Sequence, residues 1–376
     1  MSEWSNVNLA SLLSFGNGKS RPLDSGNIPV YGGNGIMSYV SQCNYDQKTI
    51  IIGRVGAYCG ATYYENKPIW ISDNALSAKA IGKNDTKYLY YLLKNLNLNQ
   101  FAEGSSHPLL TQKLLNSIET KAALSPNEQK SIASVLSSLD DKIDLLHRQN
   151  KTLESMAETL FRQWFIEEAQ EDWEDCNITD LFEVRDGTHA SPKQSVSGYP
   201  LVTSKHIGSG IIDFNNTYLI SEEDYSSINK RSKVEKFDIL FSMIGTIGST
   251  HIELSDKINY AIKNVGLLKT SQNHDWKFYT YLWLLSSEGK DFIHATKSGS
   301  TQEYISLGSL RSIVFNKPDN NTLRKFNNIA EIHFNKIYKN NKQIITLEKL
   351  RDTLLPKLMS GEVQVQYAEE AIASVA

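Results

Sequence analysis

Ser125–Glu168 reads SPNEQKSIASVLSSLDDKIDLLHRQNKTLESMAETLFRQWFIEE, and the spacing of its apolar positions decides the fold. Ile132, Leu139, Leu146, Leu153 and Leu160 recur every seven residues, with Leu136, Ile143, Asn150 and Ala157 at the interleaved positions. This is the seam of a long helix that pairs with another helix. Ser125 as N-cap, Pro126 in the first turn and Glu128 closing a capping box predict its start. A second stretch, Asn321–Leu358, repeats the design: Phe326, His333, Asn340, Leu347 and Leu354 alternate with Ala330, Ile337, Ile344, Arg351 and Leu358. Its seam is more polar. Asn150 reads as a register device within the seam.

Charge suggests that each helix is the other's partner. Residues 125–168 hold 8 acids and 5 bases, whereas residues 322–360 hold 3 acids and 8 bases. Opposite signs favour pairing with each other over self-pairing. The expected contact face is Ile132, Leu136, Leu139, Ile143, Leu146 and Leu153 on the first helix against Ile337, Ile344, Leu347 and Leu354 on the second. About 39 residues at 1.5 Å each make a rod of roughly 58 Å, and an antiparallel pair would hold a globular unit at each end. The alternative is that each helix packs only on its own unit.

The helices close two half-copies of one plan. At an offset of 194, Leu153-Glu154 falls on Leu347-Glu348 and Thr159-Leu160 on Thr353-Leu354. Nearer the starts the offset is 169, matching Leu12-Leu13 with Leu181-Phe182 and Gly18 with Gly187. Between these anchors Ile28-Pro29-Val30 parallels Tyr199-Pro200-Leu201, Gly56 parallels Gly245, Asn74 parallels Asn264, and Gly104-Ser105 parallels Gly299-Ser300. Such an internal repeat takes priority in reading the fold, and a duplicated chain suits a target with two-fold character. The expected organisation is a globular unit over 1–124, a helix over 125–168, a second unit over 169–320, a helix over 321–360 and a tail over 361–376. Runs such as Thr49–Ile52 and Asp238–Phe241 predict strands, while Lys87–Asn95 and Trp276–Ser286 predict helices. The fold class is therefore α/β (α+β): two mixed domains separated by a pair of long antiparallel coiled-coil helices, with an internal pseudo-two-fold repeat.

Composition narrows the setting. With 376 residues, 40% of them hydrophobic, the chain can bury two or more cores. Three cysteines without a close pair suggest neither a disulfide framework nor a zinc site, and a reducing cytoplasmic location is expected. No signal segment or membrane-length apolar run stands out. Residues 1–124 carry 11 Lys/Arg against 8 Asp/Glu, and residues 169–321 carry 15 against 20. Neither is the strongly basic body of a self-sufficient nucleic-acid binder, though a local basic face remains open.

The globular units are rich in loops and poor in catalytic patterns. Gly53-Arg54-Val55-Gly56 can bring backbone close to a phosphate with an arginine alongside; a bare tight turn explains the same residues. Its counterpart, Met243-Ile244-Gly245-Thr246, lacks the arginine. Frame kept and loop chemistry changed is the pattern of two copies that read different targets. No dinucleotide fingerprint, P-loop, Gly-x-Ser-x-Gly elbow or metal-ligand spacing occurs. His189, His206 and His251 read as polar loop or core residues rather than ligands. The chain reads as non-catalytic. Competing classes are a coiled-coil scaffold whose ends bind proteins, and a free-standing enzyme.

The pattern resembles the specificity subunit of type I restriction-modification enzymes. Its most specific pieces are Leu124–Ala133 with Leu139-Asp140-Asp141-Lys142-Ile143, and the ending Leu354–Glu362. The second helix departs from the family's Pro-Xaa-Xaa-Glu-Gln start, opening instead with Asn320-Asn321-Thr322-Leu323-Arg324. The resemblance implies two target-recognition domains that read the halves of a bipartite double-stranded DNA site, with the helices fixing the gap between them. It further implies two methyltransferase subunits supplying S-adenosylmethionine for adenine methylation, and two restriction subunits using ATP and Mg, with no cofactor held by this chain. On this reading the expected DNA-contacting residues are Lys19, Arg21, Asn34, Arg54, Ser105, Ser106 and Thr111 in the first unit. In the second they are Thr188, His189, Ser204, Lys205, Thr246, Ser300, Thr301 and Gln302.

Overall fold

Thr49–Gly53, sequence TIIIG, is buried at all five positions, as β-branched residues are when a strand lies inside a sheet. The computed structural model describes residues 4–104, 106–208, 211–299 and 302–373. They form two compact units: residues 1–145 with 344–376, and residues 146–343.

The first unit begins with β1 (Trp4–Asn8), α1 (Leu9–Leu12), β2 (Leu13–Asn17), β3 (Ile28–Gly32), β4 (Gly35–Val40) and β5 (Thr49–Gly53). It continues through β6 (Thr62–Glu65), β7 (Trp70–Ile71), β8 (Ala75–Ala80), α2 (Thr86–Asn95), α3 (Gln112–Ser117) and β9 (Glu119–Ala123) into α4 (Pro126–Arg162). Three sheets result, with orders β2-β8-β5-β6, β4-β3-β7 and β1-β9. All pairs are antiparallel except β3 with β7.

The second unit repeats this topology. Its elements are β10 (Asp175–Asn177), α5 (Ile178–Leu181), β11 (Val184–Asp186), β12 (Tyr199–Thr203), β13 (Leu219–Ile220), α6 (Glu222–Ser232), β14 (Ile239–Ser242) and β15 (Thr250–Ile252). Then come β16 (Ala261–Lys263), β17 (Val265–Leu268), α7 (Lys277–Leu285), α8 (Ser287–Thr296), α9 (Leu307–Arg311), β18 (Val314–Asn316) and α10 (Asn320–Ser360). The sheets run β11-β17-β14-β15, β13-β12-β16 and β10-β18, and here β12 with β16 is the parallel pair. Helix α6 interrupts the segment between β13 and β14, where the first unit has no helix between β4 and β5.

One matched pair of glycines shows why the repeat is legible. The N–H of Lys19 donates to Ile71 O and that of Thr188 to Ile262 O, both at 3.0 Å. A Cβ on the preceding Gly18 would lie 1.8 Å from Ser72 O, and one on Gly187 would lie 2.4 Å from Ile262 O. Only glycine permits the strands to approach so closely there.

Within each unit the two long helices run antiparallel. In the first, Lys121, just before α4, donates through Nζ to Ser360 O at 3.0 Å, and Asp140 meets Arg351 further along, at 3.0 Å. In the second, Asn150 Oδ1 accepts from Asn340 Nδ2 at 2.8 Å, and Phe161 meets Phe326 with centroids 6.2 Å apart. Ile132, Leu136, Leu139, Ile143 and Leu146 are buried on α4, and Ile337, Ile344, Leu347 and Leu354 on α10; Leu153 is partly buried against the second unit's core. Each helix also packs on its own unit. Buried Gln129 accepts from the Asp85 N–H at 2.7 Å and donates to Ala123 O at 2.8 Å, and Tyr91 Oη donates to Asp140 at 2.8 Å. Phe165 packs edge-on against both Phe326 and Tyr279, with centroids 4.9 Å apart in each pair.

Two local expectations need correction, and the cap of the second long helix comes from the structure alone. Glu128 does not reach back to complete a capping box; its carboxylate accepts from the Trp4 indole at 3.0 Å, because β1 lies beside the helix start. The second long helix is capped by Asp319, whose side chain accepts from the Asn321 and Thr322 N–H groups at 2.9 and 3.0 Å. The region beyond residue 360 is not simply a tail, since α11 (Val365–Ala373) forms there around buried Ala368.

Candidate nucleic-acid interface

In the first unit, four loop segments meet through their main chains. The Arg54 N–H donates to Asn74 O at 3.0 Å, its carbonyl accepts from Leu110 N at 2.9 Å, and Gly56 N donates to Pro108 O at 3.1 Å. Gly33 completes the junction: a Cβ placed there would sit 3.8 Å from Gly53 Cα and 3.7 Å from Asn74 O. Val55 bridges Leu109, which in turn bridges Glu103. This junction brings Asn34 and Ser106, both exposed, onto the same set of connected loops as Arg54.

Arg54 is the distinctive member. Its backbone is fixed on both sides, its side chain is half-buried, and Nε is shielded from solvent with no hydrogen-bond partner. The tight-turn reading is also correct, since Gly56 has φ +73 and its counterpart Gly245 has φ +77. The turn repeats even to its bridges, with Ile244 on Tyr304 and Tyr304 on Ser298. The arginine does not repeat, because Met243 takes its place.

The remaining expected residues divide by environment. Lys19 and Arg21 are exposed beyond β2, and the Lys19 carbonyl accepts from the Trp70 indole at 3.2 Å. Thr111 is the N-cap of α3, its hydroxyl accepting from the Leu114 N–H at 3.2 Å. The hydroxyl is engaged as a cap, and its O–H remains able to donate. Thr246 and Gln302 are exposed on the second unit's equivalent loops. Ser105, Ser300 and Thr301 lie outside the described residues.

A second cluster in the second unit centres on Asn264, at φ +52. Its side chain meets His189 Nδ1 at 2.8 Å, its N–H donates to Thr188 O at 3.2 Å, and its carbonyl accepts from Ser204 Oγ at 3.1 Å. Ser204 is thereby corrected: it is buried and braces the loop, while the adjacent Lys205 is exposed. His189 Nε2 also lies 2.8 Å from Asp186, a buried carboxylate that additionally accepts from Arg231. Nothing in the sequence joined Asp186 to Arg231, 45 positions away. His206 is a core residue whose Nδ1 accepts from the Thr203 N–H at 3.0 Å, with Nε2 3.1 Å from Asn216 O. Burial, then neighbouring Lys205, holds its pKa below the ordinary 6.5. Among the described residues, no group of three or more His, Cys, Asp or Glu is placed to hold a metal ion, and no helix is long and apolar enough to cross a membrane.

The resulting surface consists of exposed Lys, Arg, Asn and His side chains on loops whose backbones are fixed by strands. Such groups can donate to phosphates and base edges.

A family model described as the type I restriction modification DNA specificity domain matches residues 1–155 and again 170–349. The type I restriction enzyme MjaIX specificity subunit of Methanocaldococcus jannaschii is 28% identical over 310 residues, covering 75% of this chain and 70% of that protein. The type I restriction enzyme EcoprrI specificity subunit of Escherichia coli is 30% identical over 118 residues, covering 31% of this chain and 28% of that one. The crystal structure of a Type-I restriction-modification system S subunit from M. genitalium shares the fold, with TM-score 0.66 and 18% identity over 95% of this chain and 96% of that one.

Proposed function

The chain belongs to the type I restriction-modification DNA specificity family, and we propose that it is the non-catalytic address reader of such a complex. Each unit reads one half of a bipartite double-stranded DNA site. The observation that carries this is the repeated loop junction, kept in frame and changed in chemistry: Arg54 on one turn, Met243 on its copy. Two frames with different polar loops suit two different half-sites, because phosphate contacts fix position while base-edge contacts specify sequence.

The paired helices set the unspecified gap and dock two methyltransferase subunits, which bring S-adenosylmethionine and methylate adenine. Two restriction subunits with ATP and Mg complete the assembly. A net charge of -3 fits a reader that borrows much of its electrostatic clamp from partners. Alone it binds DNA weakly.

The test is to co-express the chain with the methyltransferase encoded beside it and map adenine methylation across the host genome. A bipartite methylated motif with a fixed gap is expected. A stable complex without methylation would sink the reading in favour of a protein scaffold.

A further inference from the structure

Asp186 ends β11 and is almost fully buried, at 4% exposure. A carboxylate in such a position stays charged only when paired. Its two oxygens are divided between two exposed donors: Arg231 Nη2 on one, and His189 Nε2 at 2.8 Å on the other. Arg231 stands in the last turn of α6 with its side chain 63% exposed. The helix end beneath it is tied down, because Arg185 Nη1 donates to the Arg231 carbonyl at 2.9 Å. His189 is held from its other side by Asn264 at 2.8 Å.

We propose that Arg231 is a specificity-determining base contact of the second unit and that Asp186 is the residue that positions it. The proposal rests on the DNA-reading function given above and names where half of that reading is done. A phosphate contact needs only a mobile positive charge, and a buried carboxylate beside it would weaken the attraction. A base-edge contact needs a guanidinium in a fixed plane, which one anchored nitrogen provides while the remaining N–H groups stay available. Guanine, with two acceptors on its major-groove edge, is the base such an arginine matches.

Among the described residues, the device stands in one unit only. At the offset that aligns Gly18 with Gly187, Asp186 falls on Asn17, which carries no charge, and the helix that bears Arg231 has no counterpart between β4 and β5. Where the frame is duplicated and this anchored pair is not, the difference belongs to what is read.

The experiment uses the specificity chain assembled with its methyltransferase and a set of duplexes carrying every single base-pair change in the mapped site. With Arg231→Gln, discrimination at one base pair of one half-site should fall about tenfold or more, while the other half-site is read as before. Arg231→Lys should fail to restore it, and Asp186→Asn should weaken discrimination at that same base pair. Arg231 is exposed, so its variants test the idea even if Asp186→Asn does not fold, which a melting curve reports. Uniform weakening on all duplexes, or unchanged discrimination with Arg231→Gln, would overturn the proposal while leaving the wild-type bipartite motif intact. If the wild-type complex reads no bipartite motif, the functional reading itself fails, and this proposal with it.

Discussion

Asn340 donates through Nδ2 to Asn150 Oδ1 at 2.8 Å, joining two seam residues that lie 190 positions apart in the chain. Asn150 in turn donates to Asn341 Oδ1 at 2.7 Å, so its carboxamide is used at both ends. Both seam asparagines are buried, and their side chains meet in one register of the two helices only.

Replacing Asn150 alone by Leu should therefore destabilise the helix pair by about 1–3 kcal/mol, because the buried Asn340 amide loses its 2.8 Å acceptor and keeps only Gln149 Oε1 at 3.4 Å. The double replacement Asn150→Leu with Asn340→Leu should recover most of that loss. Chemical denaturation of the four proteins in a double-mutant cycle measures the coupling. Additive effects would show that the pair does not interact.

Asp140 connects the first unit's core to both helices, accepting from Tyr91 at 2.8 Å and pairing with Arg351 at 3.0 Å. Asp140→Ala should cost about 1.5–3 kcal/mol, the range for hydrogen bonds to charged groups. Tyr91→Phe, which removes only one donor, should cost less. Denaturant midpoints at constant m-value provide the comparison, and equal losses would contradict the shared role of the carboxylate.

Arg54 and Asn34 sit on connected loops of the first unit, and on the function proposed above the half-buried Arg54, with its main chain held on both sides, is the base contact to test first. Arg54→Gln should reduce discrimination at one base pair by about 1–3 kcal/mol. The thermal stability of the chain should change little, since its main-chain bonds at Arg54 remain. Binding of the assembled complex to single-substitution duplexes reads the effect.

Inserting four residues between Leu139 and Leu153, with a matching insertion in the second helix, adds about 6 Å of helix and close to one full turn. At 3.4 Å per base pair, the unspecified gap should lengthen by about two base pairs while both half-sites are kept. Methylation mapping reports the new motif. An unchanged gap would remove the helices from the role of ruler.

His206 gives the second unit an acid sensitivity. Its folded pKa is depressed below 6.5, so the unfolded chain binds the proton first as pH falls. The neutral imidazole's contribution is present above pH 6.5 and is lost progressively as pH drops toward the folded value. His206→Gln should flatten this part of the stability profile, as followed by urea unfolding between pH 7 and about 5. A slope unaltered by the substitution would place the sensitivity elsewhere.

The heptad spacing from Ile132 to Leu160 and the matched glycines at Gly18 and Gly187 were enough to locate both long helices and the duplicated units. Local rules suffice there: an apolar period names a helix face, and a residue without Cβ marks a close backbone approach. The same rules failed wherever a side chain had a choice of partners. Glu128 suited a capping box until Trp4 was brought beside it, and Ser204 and Thr111 looked like free loop hydroxyls until Asn264 O and Leu114 N were brought within hydrogen-bond reach. Arg231 and Asp186 gave no signal at all, because a solvent-facing arginine in a charged helix is ordinary until a buried carboxylate from a distant strand anchors it. The sequence by itself determined the helices, the repeat and the family resemblance, since the first two depend on periodicity along the chain and the third on short motifs such as Leu124–Ala133 and Leu354–Glu362. Only the tertiary structure decided which polar groups are committed to holding loops and which are left to read, because hydrogen bonds between distant segments are chosen by the packed backbone.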